Sequence, residues 1–233
     1  MFTSLQDTLP ATEPEAIAPE TFLIPHLALA PDGLFLPVNS MVIRGREPVI
    51  VDTGAPLHRE RWLEKVFAVV EPEDVRWIYL SHDDGDHTGA LFDVLERCPR
   101  ATLVTNFFSV ERLRLEKPTL PLSRMRWVEP GGSFDAGDRV LRLFRPPVFD
   151  GPTSRGLFDP NTGAMWMVDS FACFTPGPLD ADELPQDLLA ECMPALMSAI
   201  SPWHAWLDRA TFSAHVDAVE ALGARTVASA HGP

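Results

Sequence analysis

Two histidines and three aspartates crowd six consecutive positions, His82-Asp83-Asp84-Gly85-Asp86-His87. The segment leaves a short apolar run, Trp77–Leu80, and precedes a helical pattern, so it reads as the loop after a strand, a common place for a site. Carboxylates packed this densely repel one another unless cations lie between them. Imidazole and carboxylate both donate to first-row divalent and trivalent metals, so the residue types point to metal binding. The plain alternative is a solvated acidic loop whose histidines cap the next helix. It loses force because matching residue types recur downstream, with Asp169 and His231 each just after an expected strand.

The elements that must position this loop follow from hydrophobic patterning. Phe22–Ala30, Met41–Ile43, Val49–Val51, Trp77–Leu80 and Thr102–Thr105 read as strands, with turn signals at Pro31-Asp32-Gly33 and Arg44-Gly45. Arg59–Val70, Gly89–Glu96 and Phe107–Leu115 read as helices. Later strands are expected near Arg126–Val128, Val140–Phe144, Gly156–Phe158, Met165–Val168 and Thr226–Ala228, and helices at Leu188–Ile200 and Ala205–Leu222. Strands in groups with helices between them, in two similar halves, suggest an α/β fold of two packed sheets with helices outside, a four-layer αββα sandwich. Residues 1–20, rich in Pro, Glu, Ala and Thr, read as a loose N-terminal arm, and residues 21–233 as one domain.

Composition removes several function classes. A formal net charge of -14 with no basic stripe argues against a nucleic-acid partner. Cys98, Cys173 and Cys192 form no CxxC pair, which excludes a zinc ribbon, a rubredoxin-type iron site and a thioredoxin motif. So sparse a set of thiols fits a reducing compartment and incidental burial. Neither a signal-peptide pattern nor an apolar run of membrane-spanning length is present, so a cytoplasmic protein without a membrane partner is expected. Nucleophile-elbow, Walker and dinucleotide motifs are absent from the sequence. The isolated His26, His58, His204 and His215 read as packing or surface residues, and Trp203 and Trp206 as helix packing.

His82-x-Asp84-x-Asp86-His87 resembles the H-x-[H/E/D]-x-D-H signature of the metallo-β-lactamase superfamily. Val51-Asp52-Thr53-Gly54 resembles the strand and turn that precede it there, and Asn39-Ser40-Met41 the start of an earlier core strand. The likeness runs from about Thr21 to Pro233. A carboxylate at Asp84, where hydrolases of the superfamily usually carry His, is similar to flavodiiron proteins and the oxygen-binding diiron proteins. Met167-Val168-Asp169-Ser170-Phe171 and Ser229-Ala230-His231-Gly232-Pro233 resemble the segments that carry their bridging Asp and last His. Phe149-Asp150-Gly151-Pro152-Thr153-Ser154 resembles the segment that supplies a His, with Asp150 in the His position.

The resemblance implies two metal ions, iron first with manganese and zinc as alternatives; the absence of a thiolate leans the set toward iron or manganese over zinc. The first would be held by His82, Asp84 and Asp150, the second by Asp86, His87 and His231, with Asp169 between them. Asp52 would orient a ligand from behind, while Asp83 would be exposed or lie behind the ligands. The implied function is binding or reduction of O2 or NO, with an external electron donor because the chain has no room for a flavodoxin (FMN) domain. A homodimer is expected by analogy. The competing readings are a metal-dependent hydrolase of an ester, thioester, lactone or phosphoester using a metal-bridging hydroxide, and a non-catalytic sensor.

Overall fold

Side chains alternate across a strand, so a run of apolar residues in a sandwich must feed two cores at once. The computed structural model describes residues 9–178 and 182–233 and shows this arrangement. The first half contains β1 (Glu15–Ala18), β2 (Thr21–Ile24), β3 (Leu27–Leu29), β4 (Phe35–Pro37), β5 (Ser40–Ile43), β6 (Val49–Val51) and α1 (Arg59–Val69). It continues with β7 (Trp77–Tyr79), the single turn α2 (Gly85–Thr88), α3 (Leu91–Arg97), β8 (Thr102–Thr105), α4 (Phe107–Glu116) and β9 (Met125–Trp127). The second half contains β10 (Ser133–Asp135), β11 (Val140–Phe144), β12 (Gly156–Asp159), β13 (Ala164–Trp166), α5 (Gln186–Ile200), α6 (Arg209–Glu220) and β14 (Thr226–Ala228).

One sheet runs β1-β2-β5-β6-β7-β8-β9, the other β10-β11-β12-β13-β14, and β3 with β4 forms a separate hairpin. Val42, Ile50, Ile78 and Leu103 point outward from the first sheet onto Trp62, Leu91 and Val110 of α1, α3 and α4. Their chain neighbours Met41, Val51, Tyr79 and Val104 point inward and meet Phe134, Leu141, Leu157 and Trp166 of the second sheet. Phe158 and Met165 leave the far face of that sheet to pack on Val219 of α6. Three apolar interfaces between four layers make the αββα sandwich that the patterning implies. Each fully buried large side chain, Trp62 and Trp166 among them, contributes about 1.5–3 kcal/mol of transfer free energy.

Several boundaries differ from expectation for local reasons. The run 22–30 breaks at Pro25, which has no N–H for a ladder, and its second part turns away as β3. Helix α6 starts late because the Asp208 side chain accepts from the Thr211 N–H and caps it, while Pro202–Trp206 forms a separate 3-10 turn. Trp206 is 87% exposed instead of packed; Trp203 packs on Phe149, ring centres 4.4 Å apart and planes tilted by 43°. Of the expected loose arm, residues 1–8 lie outside the described residues, but Glu15–Ala18 pairs antiparallel with β2 as an edge strand. The Lys65 ammonium donates to the Thr12 hydroxyl and the Pro25 carbonyl, so that part of the arm is anchored. Strands β4 and β10 escape the sequence reading because Phe35-Leu36-Pro37 ends in proline and Ser133-Phe134-Asp135 carries a single apolar residue.

Candidate metal centre

Strands β6 and β7 run parallel in the first sheet, and β13 and β14 run parallel in the second. Their C-terminal ends lie together, and the residues just beyond them supply the polar cluster: Asp52, Ser81-His82, Asp169 and Ser229-Ala230-His231. Two of these exits take left-handed backbone, Asp52 at φ 57° and Val168 at φ 57°. For a β-branched residue such as Val168 that conformation costs on the order of 1–3 kcal/mol, a strain that packing sustains to aim Asp169 inward.

The loop 81–88 is held from behind. The Ser81 N–H and hydroxyl donate to the Asp52 carboxylate at 2.7 and 2.6 Å, and the Trp166 indole donates to the same group at 3.0 Å. Thr53 donates both its N–H and its hydroxyl to the His87 carbonyl, each at 2.8 Å. Gly89 is required at its position, because a Cβ there would come within 2.3 Å of the Ala55 backbone. Asn39 donates to the Ser229 and Gly232 carbonyls at 3.0 Å each, which fixes the His231 turn against the first sheet.

Seven ligand-type side chains converge in front of this frame. Donor atoms of His82, Asp84 and Asp150 lie within 4.8 Å of one another, as do those of Asp86, His87 and His231, and those of His82, His87 and Asp169. Asp169 faces both sides at once. Its Oδ2 lies 3.4 Å from His82 Nε2, while Oδ1 lies 3.2 Å from His87 Nε2 and 3.5 Å from His231 Nε2. His231 Nε2 is 3.1 Å from Asp86 Oδ2, and His82 Nε2 is 3.9 Å from both Asp84 and Asp150. Asp150 also closes its own turn by accepting from the Ser154 hydroxyl at 2.9 Å.

His87 and His231 present their Nε2 atoms to the cluster because their other nitrogens are occupied. His231 Nδ1 lies 2.8 Å from the Pro37 carbonyl, which can only accept, so this nitrogen carries the proton. His87 Nδ1 likewise donates to Asp52 at 3.0 Å. This is the arrangement that fixes tautomer and ring orientation in metal-ligating histidines.

The facing charges within the cluster shift its protonation. Burial alone would depress His87, but the Asp52 charge, the bond to Asp52 and the facing Asp169 carboxylate hold it well above its usual value. Burial also opposes the charge on His231, which Asp86 and Asp169 nonetheless raise. Asp169 and Asp86, despite desolvation, are held well below the carboxylate range by the surrounding histidines. Burial and the facing Asp150 and Asp86 carboxylates push Asp84 up against the pull of His82. The donor set passes a direct test for metal: His87 Nε2 and Asp169 Oδ1 are buried without a hydrogen-bond partner. Two such orphaned lone-pair atoms facing one space are costly unless a cation takes them.

A cavity of about 250 Å³ opens over the cluster, walled by Leu36, Phe174, Leu196 and Ile200 along with the ligand-type residues. No Lys or Arg lines it among the described residues.

Asp83 is the one member of the loop that points elsewhere. Its side chain is 2% exposed, accepting from the Ser109 hydroxyl at 3.0 Å and pairing with Arg112 at 2.9 Å. Of the two places expected for it, exposed or behind the ligands, the exposed one does not hold: burial opposes its charge, but bonds from Thr153, Arg112 and Ser109 hold its carboxyl low, so it ties the loop to α4. Sequence reasoning missed Ser81, Trp166 and the Pro37 carbonyl, and no motif marked the four apolar wall residues. Only Ser81, adjacent to His82, carried any positional signal.

Comparison with known proteins agrees with this fold. The metallo-beta-lactamase superfamily model matches residues 33–178. A protein named as diflavin flavoprotein A 2, from Nostoc sp., is 30% identical over 134 residues, 57% of this chain but 23% of that protein. The rubredoxin oxygen:oxidoreductase of Desulfovibrio gigas superposes with a TM-score of 0.78 at 16% identity, over 94% of this chain and 56% of its own. A fragment of diflavin flavoprotein A 5 from Nostoc sp. gives 0.79 at 20% identity, over 95% and 88%. Such structural likenesses show the fold, and the chain spans about a quarter of the Nostoc relative of the sequence match.

Proposed function

The chain belongs to the metallo-β-lactamase superfamily, and on that footing we propose that it holds two metal ions, iron by preference, and binds or reduces a small diatomic such as O2 or NO. The observation that carries the reading is Asp169, whose two oxygens face two different groups of donors. In this reading His82, Asp84 and Asp150 hold one ion, Asp86, His87 and His231 hold the other, and Asp169 bridges them. Four carboxylates neutralise two divalent ions, and an all-nitrogen and oxygen set suits iron or manganese. When bound, a reduced iron pair supplies two electrons at one place. The chain contributes orientation: Asp52 and the Pro37 carbonyl hold the His87 and His231 rings, and the apolar residues Leu36, Phe174, Leu196 and Ile200 line the approach to them.

The cavity favours this reading over hydrolysis. At about 250 Å³ it is small for an organic ester, and it offers no cation to hold a phosphate or carboxylate. An uncharged diatomic needs neither. The likeness to flavodiiron cores points the same way, and an external electron donor and self-association belong to the same proposal.

The test is metal analysis of protein purified without chelator, followed by anaerobic reduction of the iron-loaded form and exposure to O2 or NO. About two irons per chain and a spectral change on mixing are expected. A loaded, reduced protein that is silent toward both gases sinks the proposal. Turnover of uncharged esters by the zinc form, lost in His87→Ala, would put hydrolysis in its place.

A further inference from the structure

Cys173 and Cys192 are 19 positions apart in a chain with three cysteines, yet Phe174 touches both sulfurs: the Cys173 thiol donates to its carbonyl at 3.4 Å. The Phe174 N–H donates to the Cys192 sulfur at 3.0 Å, which holds that sulfur beside the neighbouring residue's side chain. Both ends of this pair are tied to the metal cavity. The Cys173 N–H donates to the His231 carbonyl at 2.9 Å, and the Ala172 N–H to the Asp169 carbonyl at 3.3 Å. Cys192 lies on α5, one turn before Leu196 and two before Ile200, so the three share a face. Leu196, Ile200 and Phe174 form the wall of the cavity.

We propose that Cys173 and Cys192 are a dithiol that a hydroperoxide converts to a disulfide, locking α5 against the metal-ligand frame. Cys192 is the more accessible thiol; Cys173 is buried. The Cys192 sulfur attacks the distal oxygen of the peroxide. The O–O bond breaks, Cys192 becomes a sulfenic acid, and the thiol proton leaves with the other oxygen as water or alcohol. The Cys173 sulfur then attacks the sulfenic sulfur, the S–O bond breaks, and hydroxide leaves with the Cys173 proton as water. Two thiols are oxidised by two electrons and one peroxide is reduced. Accessibility assigns the first attack to Cys192.

Helix α5 can supply the small movement that bond formation needs. It contains Pro194, which removes one helical hydrogen bond, and none of its residues is fully buried. The covalent step stands on the thiol geometry alone. Its consequence, narrower access to the cluster, rests on the metal reading proposed above.

The experiment oxidises zinc-loaded protein with hydrogen peroxide, zinc being redox-inert, then alkylates and maps the peptides. A Cys173–Cys192 cross-link is expected, lighter by about 2 Da than the two thiols, cleaved by dithiothreitol, with Cys98 still free. In Cys173→Ser the Cys192 sulfenic acid should persist and be trapped by dimedone. Oxidation of Cys192 to sulfinic or sulfonic acid with Cys173 left free in the wild type overturns the proposal, whichever variants fold. Zinc extraction by a chelator should slow severalfold in the oxidised form and recover on reduction. An unchanged rate, with the cross-link present and zinc bound, overturns the locking. If no zinc binds, the peptide map still decides the disulfide, and the metal reading has failed separately.

Discussion

The molecule buries two groups of histidines, and their surroundings drive them to opposite charge states. His82, His87 and His231 sit among carboxylates, and His87 and His231 are held above the usual imidazole range. His26 and His58 stack at 4.9 Å on the other side of the β3–β4 hairpin, where burial, Lys65 and His58 push His26 down to about 2. Burial is common to both groups, so burial decides nothing by itself. The first group attracts cations, whether protons or metal. The second repels them, and both ring nitrogens of His26 have no hydrogen-bond partner. A buried histidine becomes a candidate ligand only through the charges facing it.

The strongest way to break the comparison is to add or remove metal. Loading should stabilise the protein by about 2.7 kcal/mol per site when free metal is a hundred times its Kd. It should also release protons into a weakly buffered solution, because His87 and His231 must surrender theirs. His87→Ala or Asp169→Ala should abolish most of this thermal shift, whereas His26→Leu should leave it intact. A shift that survives Asp169→Ala would mean that the metal lies elsewhere.

Acid should expose the second group. His26 has a folded value near 2 and an ordinary value of 6.5. Above pH 6.5 it is neutral in both states and adds nothing to the pH dependence. Below that, the unfolded chain takes a proton that the folded chain refuses, so stability falls with pH by about 1.4 kcal/mol per unit. His58, lowered by burial and by Lys65 and Arg61 despite its bond to Leu27, adds in the same direction. Urea unfolding between pH 7 and pH 5 should therefore be less pH-dependent in His26→Leu than in wild type. Parallel curves would show that the pair does not remain neutral in the folded protein.

A third substitution separates charge from packing behind the metal cluster. Asp52→Asn keeps the size of the side chain and, like Asp, Asn tolerates the left-handed backbone at φ 57°. It withdraws the negative acceptor shared by His87, Ser81 and Trp166. Metal affinity should drop by roughly 10–100-fold, the usual cost of losing a group that orients a ligand. Competition with a chromophoric chelator measures it, and unchanged affinity would leave Asp52 a purely structural acid.

How much of this was legible follows the same division. The cluster 82–87 announced itself because its residue types repel one another without a cation, and the αββα layers followed from strands grouped with helices between them in two similar halves. The His26–His58 pair did not announce itself, since one histidine in a strand and one before a helix look like ordinary packing. The approach of Cys173 to Cys192 was equally hidden, because only the placement of α5 joins them. Backbone partners such as the Pro37 carbonyl leave no trace in residue types. Strand β1 was lost to the Pro-rich composition around it, although Ala16 and Phe22 pair in register.

The smallest effect belongs to Asp83, which has the same type as the ligand-type aspartates beside it and a different task. Its carboxylate is covered, but its partner Arg112 is 54% exposed, so water screens the ion pair. Asp83→Asn should cost about 0.2–1 kcal/mol in urea unfolding. Metal stoichiometry should not change, because no donor group around Asp169 includes Asp83 among the described residues. The comparison with Asp84→Asn is the sharper reading. Adjacent positions in one acidic loop should then divide cleanly, one altering fold stability and the other metal content. Loss of metal in Asp83→Asn at unchanged stability would show that the tether to α4 sets the ligand geometry as well as the loop's anchorage.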